Sequence, residues 1–128
     1  MSIVKAFNSH FMEFIDDILT VVPDNKSLKT AKFYTNNIIK LNPILLIKGW
    51  KQWFATPYEI QINNGDFAFF MDKDYKDDVG ISTQYNSSKV LDAIEPIRNA
   101  ARQLSVPNQQ KIIKYIQNLS KLSKMYKP

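Results

Sequence analysis

Apolar side chains recur every three or four residues along much of this chain, which is the spacing of one face of an α-helix. The first such run predicts a helix from about Val4 to Thr20, with Glu13, Asp16 and Asp17 on the opposite side. Its apolar face consists of Phe7, Phe11, Phe14, Ile15, Ile18 and Leu19. The segment Val22-Pro23-Asp24 then ends this helix and provides an N-cap for the next one.

Two further helices are predicted, one from about Lys26 to Leu41 and one from about Pro43 to Thr56. Asn42-Pro43 marks the boundary between them, because Asn is a frequent N-cap and Pro43 fits the first position of a new helix. The second helix places Leu28, Ala31, Tyr34 and Ile38 on one face, with Phe33 and Leu41 nearby. The third helix is apolar around much of its circumference, which is typical of a helix at the centre of a core.

The second half of the chain gives weaker patterns. Tyr58 to Ile62 alternates briefly, which fits either a short strand or a helical turn. Asp66 caps a short apolar helix, and a polar loop follows it. A fifth helix, kinked or divided by Pro96, ends near Leu104, and a sixth runs from about Asn108 to Met125. We therefore expect an all-α fold, with residues 1–128 forming one domain of five or six helices and helices one, three and five at its core.

Composition excludes several kinds of functional site. The 128 residues include no Cys, one His and 3 Gly, so a disulfide framework, a cysteine zinc site and a glycine-rich phosphate loop are ruled out. His10 lacks a recognisable nucleophile or orienting partner in the sequence, and we interpret it as a boundary residue. We expect a protein that is not an enzyme, with no catalytic residues, no metal and no cofactor.

The segment from Asp72 to Asp78 contains four aspartates and begins with the Asp-x-Asp pattern of an EF-hand calcium-binding loop. The match fails further on, because Asp77 stands where the loop needs Gly and Thr83 stands where it needs Glu. A solvated acidic loop is the favoured interpretation, and an enzyme using these carboxylates is a remote alternative. No window of about 18 apolar residues occurs in the chain, so we expect neither a secretion signal nor a membrane span, and an intracellular location.

The net charge of +5 is concentrated at the C-terminal end, where residues 105–128 carry five lysines and no acidic residue. On a helical projection, one face of the sixth helix carries Lys111, Lys114, Lys121 and Lys124, and the other face is apolar. One interpretation is a contact with an anionic partner, whether phosphates, a membrane surface or an acidic protein. The other is a packed helix with a solvated lysine face. The absence of Arg from this helix makes base-specific recognition of nucleic acid unlikely.

Bulky aromatic residues are frequent around the third helix. Core packing is their default role, but the aromatic content of 12% is high for one helical core. Exposed Trp or Tyr side chains rimmed by lysines often anchor protein interfaces. Trp50, Trp53 and Tyr58 are therefore candidate interface residues, with Lys48 and Lys51 beside them.

A set of turns, caps and core positions is similar in spacing to a known group of proteins. The residues are Phe11 to Asp17, Val22 to Asn25, Asn42-Pro43, Leu45 to Ile47, Trp50, Tyr58, Gly65-Asp66, Phe69-Phe70 and Asp74-Tyr75. Over roughly residues 7–79 the chain resembles small uncharacterised proteins encoded by nucleocytoplasmic large DNA viruses. The resemblance implies a viral protein, either carried in the virion or made in the infected cell, and it transfers no active site.

Two functions remain open on the sequence. The first is a non-enzymatic helical interaction or assembly protein of a large DNA virus, with other viral proteins or a second copy as its partner. The alternative is a non-specific nucleic-acid-associated protein that uses the basic C-terminal helix.

Overall fold

The computed structural model describes residues 2–72 and 94–127, with the backbone alone at residue 72. The described segments contain helices and short turns and no strand, which confirms the all-α prediction. Helix α1 spans Ile3–Val21 and helix α2 spans Lys26–Leu41. The side chain of Ser2 caps α1, and the side chain of Asn25 caps α2 by accepting a hydrogen bond from the Leu28 amide at 2.9 Å. The N-cap of α2 is therefore one residue later than the predicted Asp24.

The third helix changes its winding along its length. Helix α3, Leu45–Trp50, continues directly into a π-helical turn, Lys51–Ala55, where the Thr56 amide bonds to the Lys51 carbonyl at 3.2 Å. A π-helical turn has more residues per turn than an α-helix, so consecutive side chains lie closer in angle and more of them fit within one inward-facing arc. Three consecutive side chains of this turn, Trp53, Phe54 and Ala55, are buried.

Two short helices follow, α4 (Glu59–Asn63) and α5 (Phe67–Asp72). The alternating segment that starts at Tyr58 is therefore helical rather than a strand. Gly65 lies between the two helices with a φ of 65°, a left-handed conformation that other residues adopt at a cost. A Cβ atom there would lie 3.3 Å from Cγ2 of Ile113, so the turn also packs closely on the last helix.

Residues 94–101 form the described part of the predicted fifth helix, here α6, and α7 spans Val106–Met125. Arg98 of α6 is buried, pairs with Glu95 at 2.6 Å and donates a hydrogen bond to the Met71 carbonyl at 2.8 Å. This bond ties α6 to the end of α5. The predicted start of this helix lies outside the described residues.

The core is built around α1, α3 and α7. The sequence analysis placed helices one, three and five at the centre, and α7 has a larger share of the core than that prediction gave it. Its residues Ile112, Ile116 and Leu119 are buried against α1, the π-helical turn and α4. The reason is geometric, because a twenty-residue helix is about 30 Å long. It contacts α1, α3, the π-helical turn, α4 and α5.

A matched pair of leucine truncations tests this assignment. Leu119 is 0% exposed and Leu41 is 82% exposed. Leu119→Ala should lower the free energy of unfolding by about 2–5 kcal/mol, because it leaves a cavity in the core. Leu41→Ala should change it by less than about 0.5 kcal/mol. Urea titration of both variants checks this, and equal effects would contradict the described packing.

Candidate anion-binding face

The outward face of α7 carries the four lysines that the sequence singled out, and all four are exposed. Below, Lys111, Lys114, Lys121 and Lys124 are called the lysine row. The opposite face of the helix is buried and includes the small polar residues Ser120 and Ser123 as well as apolar side chains. At about 1.5 Å of rise per residue, the row extends for roughly 20 Å.

A hydrogen bond within the core sets the rotation of α7 about its axis. The indole Nε1 of Trp50 donates to the hydroxyl of Ser120 at 2.9 Å, and both groups are buried. The Ser120 hydroxyl in turn donates to the Ile116 carbonyl at 2.7 Å. Because a buried indole N–H needs a partner, this contact holds Ser120 against α3 and directs the lysine row outward.

One edge of the lysine row borders α1. The ring of Tyr115 stacks on Phe14 with centroids 4.9 Å apart, and it lies equally close to the ring of His10. Its hydroxyl donates to the carboxylate of Asp17, and Glu13 Oε1 lies 3.4 Å away. Burial, then the hydrogen bond to Asp17 and the nearby negative charges raise the pKa of Tyr115 well above its ordinary value.

The other edge borders α4. Lys124 forms an ion pair with Glu59, and Gln117 donates to the Ile62 carbonyl at 3.0 Å. Lys111, Lys114 and Lys121 form no ion pair with any residue in the described segments. Of the four predicted residues, Lys124 therefore links α7 to α4, whereas the other three have no ion-pair partner in the described segments.

Carboxylates therefore flank the lysine row on both sides. Asp17 and Glu13 lie at the α1 edge, and Glu59 lies at the α4 edge. Residue spacing does not reveal this arrangement, because these contacts join residues that are 65 to 102 positions apart in the chain. The face is a narrow positive stripe rather than a broad basic surface.

The three aromatic interface candidates lie in the core, which corrects the expectation that they are exposed. Trp50, Trp53 and Tyr58 are 7%, 9% and 8% exposed. The Trp50 ring lies 6.2 Å from the rings of Phe7 and Phe11 of α1. The aromatic side chains pack on one another in the core, since the Trp50 ring also lies 5.4 Å from the ring of Phe54. Lys51, expected at the rim of this site, instead donates to the Tyr126 carbonyl at 2.7 Å.

Exposed apolar side chains occur on α2 instead. Phe33 is 71% exposed and Leu41 is 82% exposed. Phe33 lies about 180° from the middle of the buried face of α2 when residues are placed 100° apart. A helical projection of α2 therefore identifies Phe33 as an outward-facing residue, whereas the sequence analysis placed it only near the apolar face.

The remaining chemical candidates give no site among the described residues. No group of three or more His, Asp or Glu in residues 2–72 and 94–127 is arranged to hold a metal ion. The aspartates from Asp74 to Asp78 lie outside those segments, as does the side chain of Asp72. No helix in the described part of the chain is long and apolar enough to cross a membrane.

Comparison with family models, with curated proteins and with solved structures found no match.

The raised pKa of Tyr115 predicts how stability depends on alkaline pH. The unfolded chain releases this proton near pH ~10, whereas the folded protein retains it to higher pH. The stabilisation is complete below about pH 10 and is lost as the pH rises above that value. Tyr115→Phe should therefore flatten the alkaline decline of the free energy of unfolding.

Urea titrations of both proteins between about pH 7 and 11 measure this effect. The difference at pH ~7 serves as the control, because the phenol is protonated there in both states. Parallel declines in the two proteins would contradict the assigned environment of Tyr115.

Proposed function

We propose that this chain is a non-enzymatic helical interaction protein that binds an acidic patch of a partner protein along the lysine row. The observation that carries the proposal is the narrow positive stripe on α7, with three exposed lysines between carboxylates of α1 and α4. A surface with alternating charge selects a partner whose acidic groups lie opposite the lysines. The carboxylates at its edges repel a partner that carries negative charge there.

The same pattern argues against a nucleic-acid strand as the main ligand. Duplex DNA carries about one negative charge per 1.7 Å, so a strand passing over α7 would also approach Glu13, Asp17 and Glu59. A folded protein can place its acidic groups over Lys114 and Lys121 alone. The proposal that the protein belongs to a large DNA virus, as an assembly or virion component made in the infected cell, rests on the sequence resemblance.

Non-specific nucleic-acid binding is the second candidate. It is favoured by the exposure of Lys111, Lys114 and Lys121, which form no ion pair within residues 2–72 and 94–127. Those three contacts would give a distinct salt response. With a slope of about −0.9 per neutralised phosphate, the binding constant for duplex DNA should fall roughly fortyfold between 50 and 200 mM salt.

A site-specific crosslinking experiment tests the partner assignment. A photoreactive residue in place of Lys114 should give a discrete protein adduct in an extract of cells that make this chain. The same residue in place of the exposed Gln103 serves as the control and should not give that adduct. Adding Lys111→Gln and Lys121→Gln should abolish the adduct, since the partner is held by charge.

Titration with labelled duplex DNA and single-stranded RNA, at low and physiological salt, decides between the two candidates. The protein-partner proposal expects no micromolar binding at physiological salt. Micromolar binding that weakens steeply with salt, and that is lost in a variant with Lys111, Lys114 and Lys121 replaced by Gln, would overturn it in favour of nucleic acid.

A further inference from the structure

A second basic surface lies on the outward face of α2, and it differs from the lysine row in composition. Its members are Lys26, Lys29, Phe33, Lys40 and Leu41, here called the α2 patch, and all are exposed. With residues 100° apart, Phe33 lies about 20° from Lys26 and Lys40 and about 40° from Lys29. Leu41 lies about 80° from Phe33 at the end of the helix.

The α2 patch combines unpaired positive charge with protruding apolar side chains. Helix α2 contains no acidic residue, and none of Lys26, Lys29 and Lys40 pairs with a residue in the described segments. Lys32 differs, because it faces α1 and forms an ion pair with Asp16 at 2.6 Å. Phe33 and Leu41 extend from the same surface into solvent. Because they are exposed, they contribute little apolar burial to the stability of the folded chain.

We infer that the α2 patch binds the surface of a membrane that contains anionic lipids. Exposed lysines attract anionic lipids, and exposed apolar side chains beside them add apolar area that a bilayer interface can bury. The ammonium groups meet lipid phosphates and carboxylates, and the two apolar side chains enter the boundary of the acyl region. The patch extends for about 22 Å along the helix axis, so all five side chains can meet a flat surface together.

Other occupants fit this surface less well. A second copy docked symmetrically on the same face would bring three lysines against three lysines. Single-stranded nucleic acid is held by several stacked aromatic rings, whereas this face offers one ring, and Leu41 has no π-face on which a base can stack. A single helix face with two apolar side chains is also small for a stable protein interface.

Vesicle sedimentation with the full chain tests the inference. The protein should bind vesicles of phosphatidylcholine with about 30% phosphatidylserine, and it should not bind pure phosphatidylcholine. Each lysine near an anionic surface contributes about fivefold to the binding constant. Replacing Lys26, Lys29 and Lys40 by Gln should therefore weaken binding roughly a hundredfold.

The lysine row supplies a matched control that removes the same charge. Replacing Lys111, Lys114 and Lys121 by Gln should weaken vesicle binding severalfold at most. Equal losses in the two variants would overturn the inference, because binding would then depend on net charge alone. Absence of binding to the anionic vesicles would overturn it as well. Neither outcome bears on the protein adduct expected at Lys114, so this inference and the proposed function fail independently.

A second pair of measurements tests the apolar contribution. Phe33→Ser with Leu41→Ser should weaken binding by about tenfold or more, since both side chains lose their apolar contact with lipid. In Phe33→Trp the new indole should shift its emission to the blue on anionic vesicles, against the constant signal of the buried Trp50 and Trp53. An unchanged affinity or an unshifted emission would overturn insertion of this face.

The alternative occupants give distinct results. If the α2 lysine variant lost affinity for single-stranded RNA while vesicle binding stayed unchanged, nucleic acid would be the ligand and the inference would be wrong. If light scattering showed a dimer that Phe33→Ser converted to a monomer, self-association would replace it. Urea midpoints close to that of the parent protein show that each variant is folded, as expected for substitutions at exposed positions.

Discussion

The hydrogen bond from the Trp50 indole to Ser120 connects the interior of this protein with the charge on its surface. The ring of Trp50 lies among the aromatic side chains of α1, and its one polar atom reaches α7. A rotation of α7 that moved Ser120 away would leave a buried N–H unpaired, at a cost of about 1–3 kcal/mol. The same rotation would expose Leu119 and bury lysines. The direction of the lysine row is thus fixed by a polar contact inside the core as well as by apolar burial.

Helix α1 organises the surface on both of its sides. Asp16 pairs with Lys32 of α2, and the neighbouring Asp17 accepts the hydrogen bond from Tyr115 of α7. Consecutive residues on a helix point about 100° apart, so adjacent carboxylates can serve two different neighbours. The carboxylates of α1 therefore lie between two basic helices, α2 and α7. They separate the positive charge of the α2 patch from that of the lysine row, so the two surfaces can meet partners of different chemistry.

The helical pattern was predictable wherever apolar residues had a regular spacing. The predicted bounds of α1, α2 and α7 differ from the observed ones by no more than two residues at either end, because capping residues and Pro107 mark them locally. The change of winding at Lys51 was not predictable from spacing. The π-helical turn packs on α7 and α4, and its burial is a property of the assembled core.

The surface was less predictable than the core, because exposure and ion pairing are set between helices that are distant in sequence. The projection of α7 placed all four lysines on one face, yet only the folded chain distinguishes Lys124, paired with Glu59, from Lys114. Trp50 was a candidate interface residue and is buried against α1 and α7, whereas Phe33, which was placed near the apolar face of α2, is exposed to solvent. Aromatic size alone does not decide exposure, since a side chain is buried when its helix face has a neighbour, and the outer face of α2 has none among the described helices.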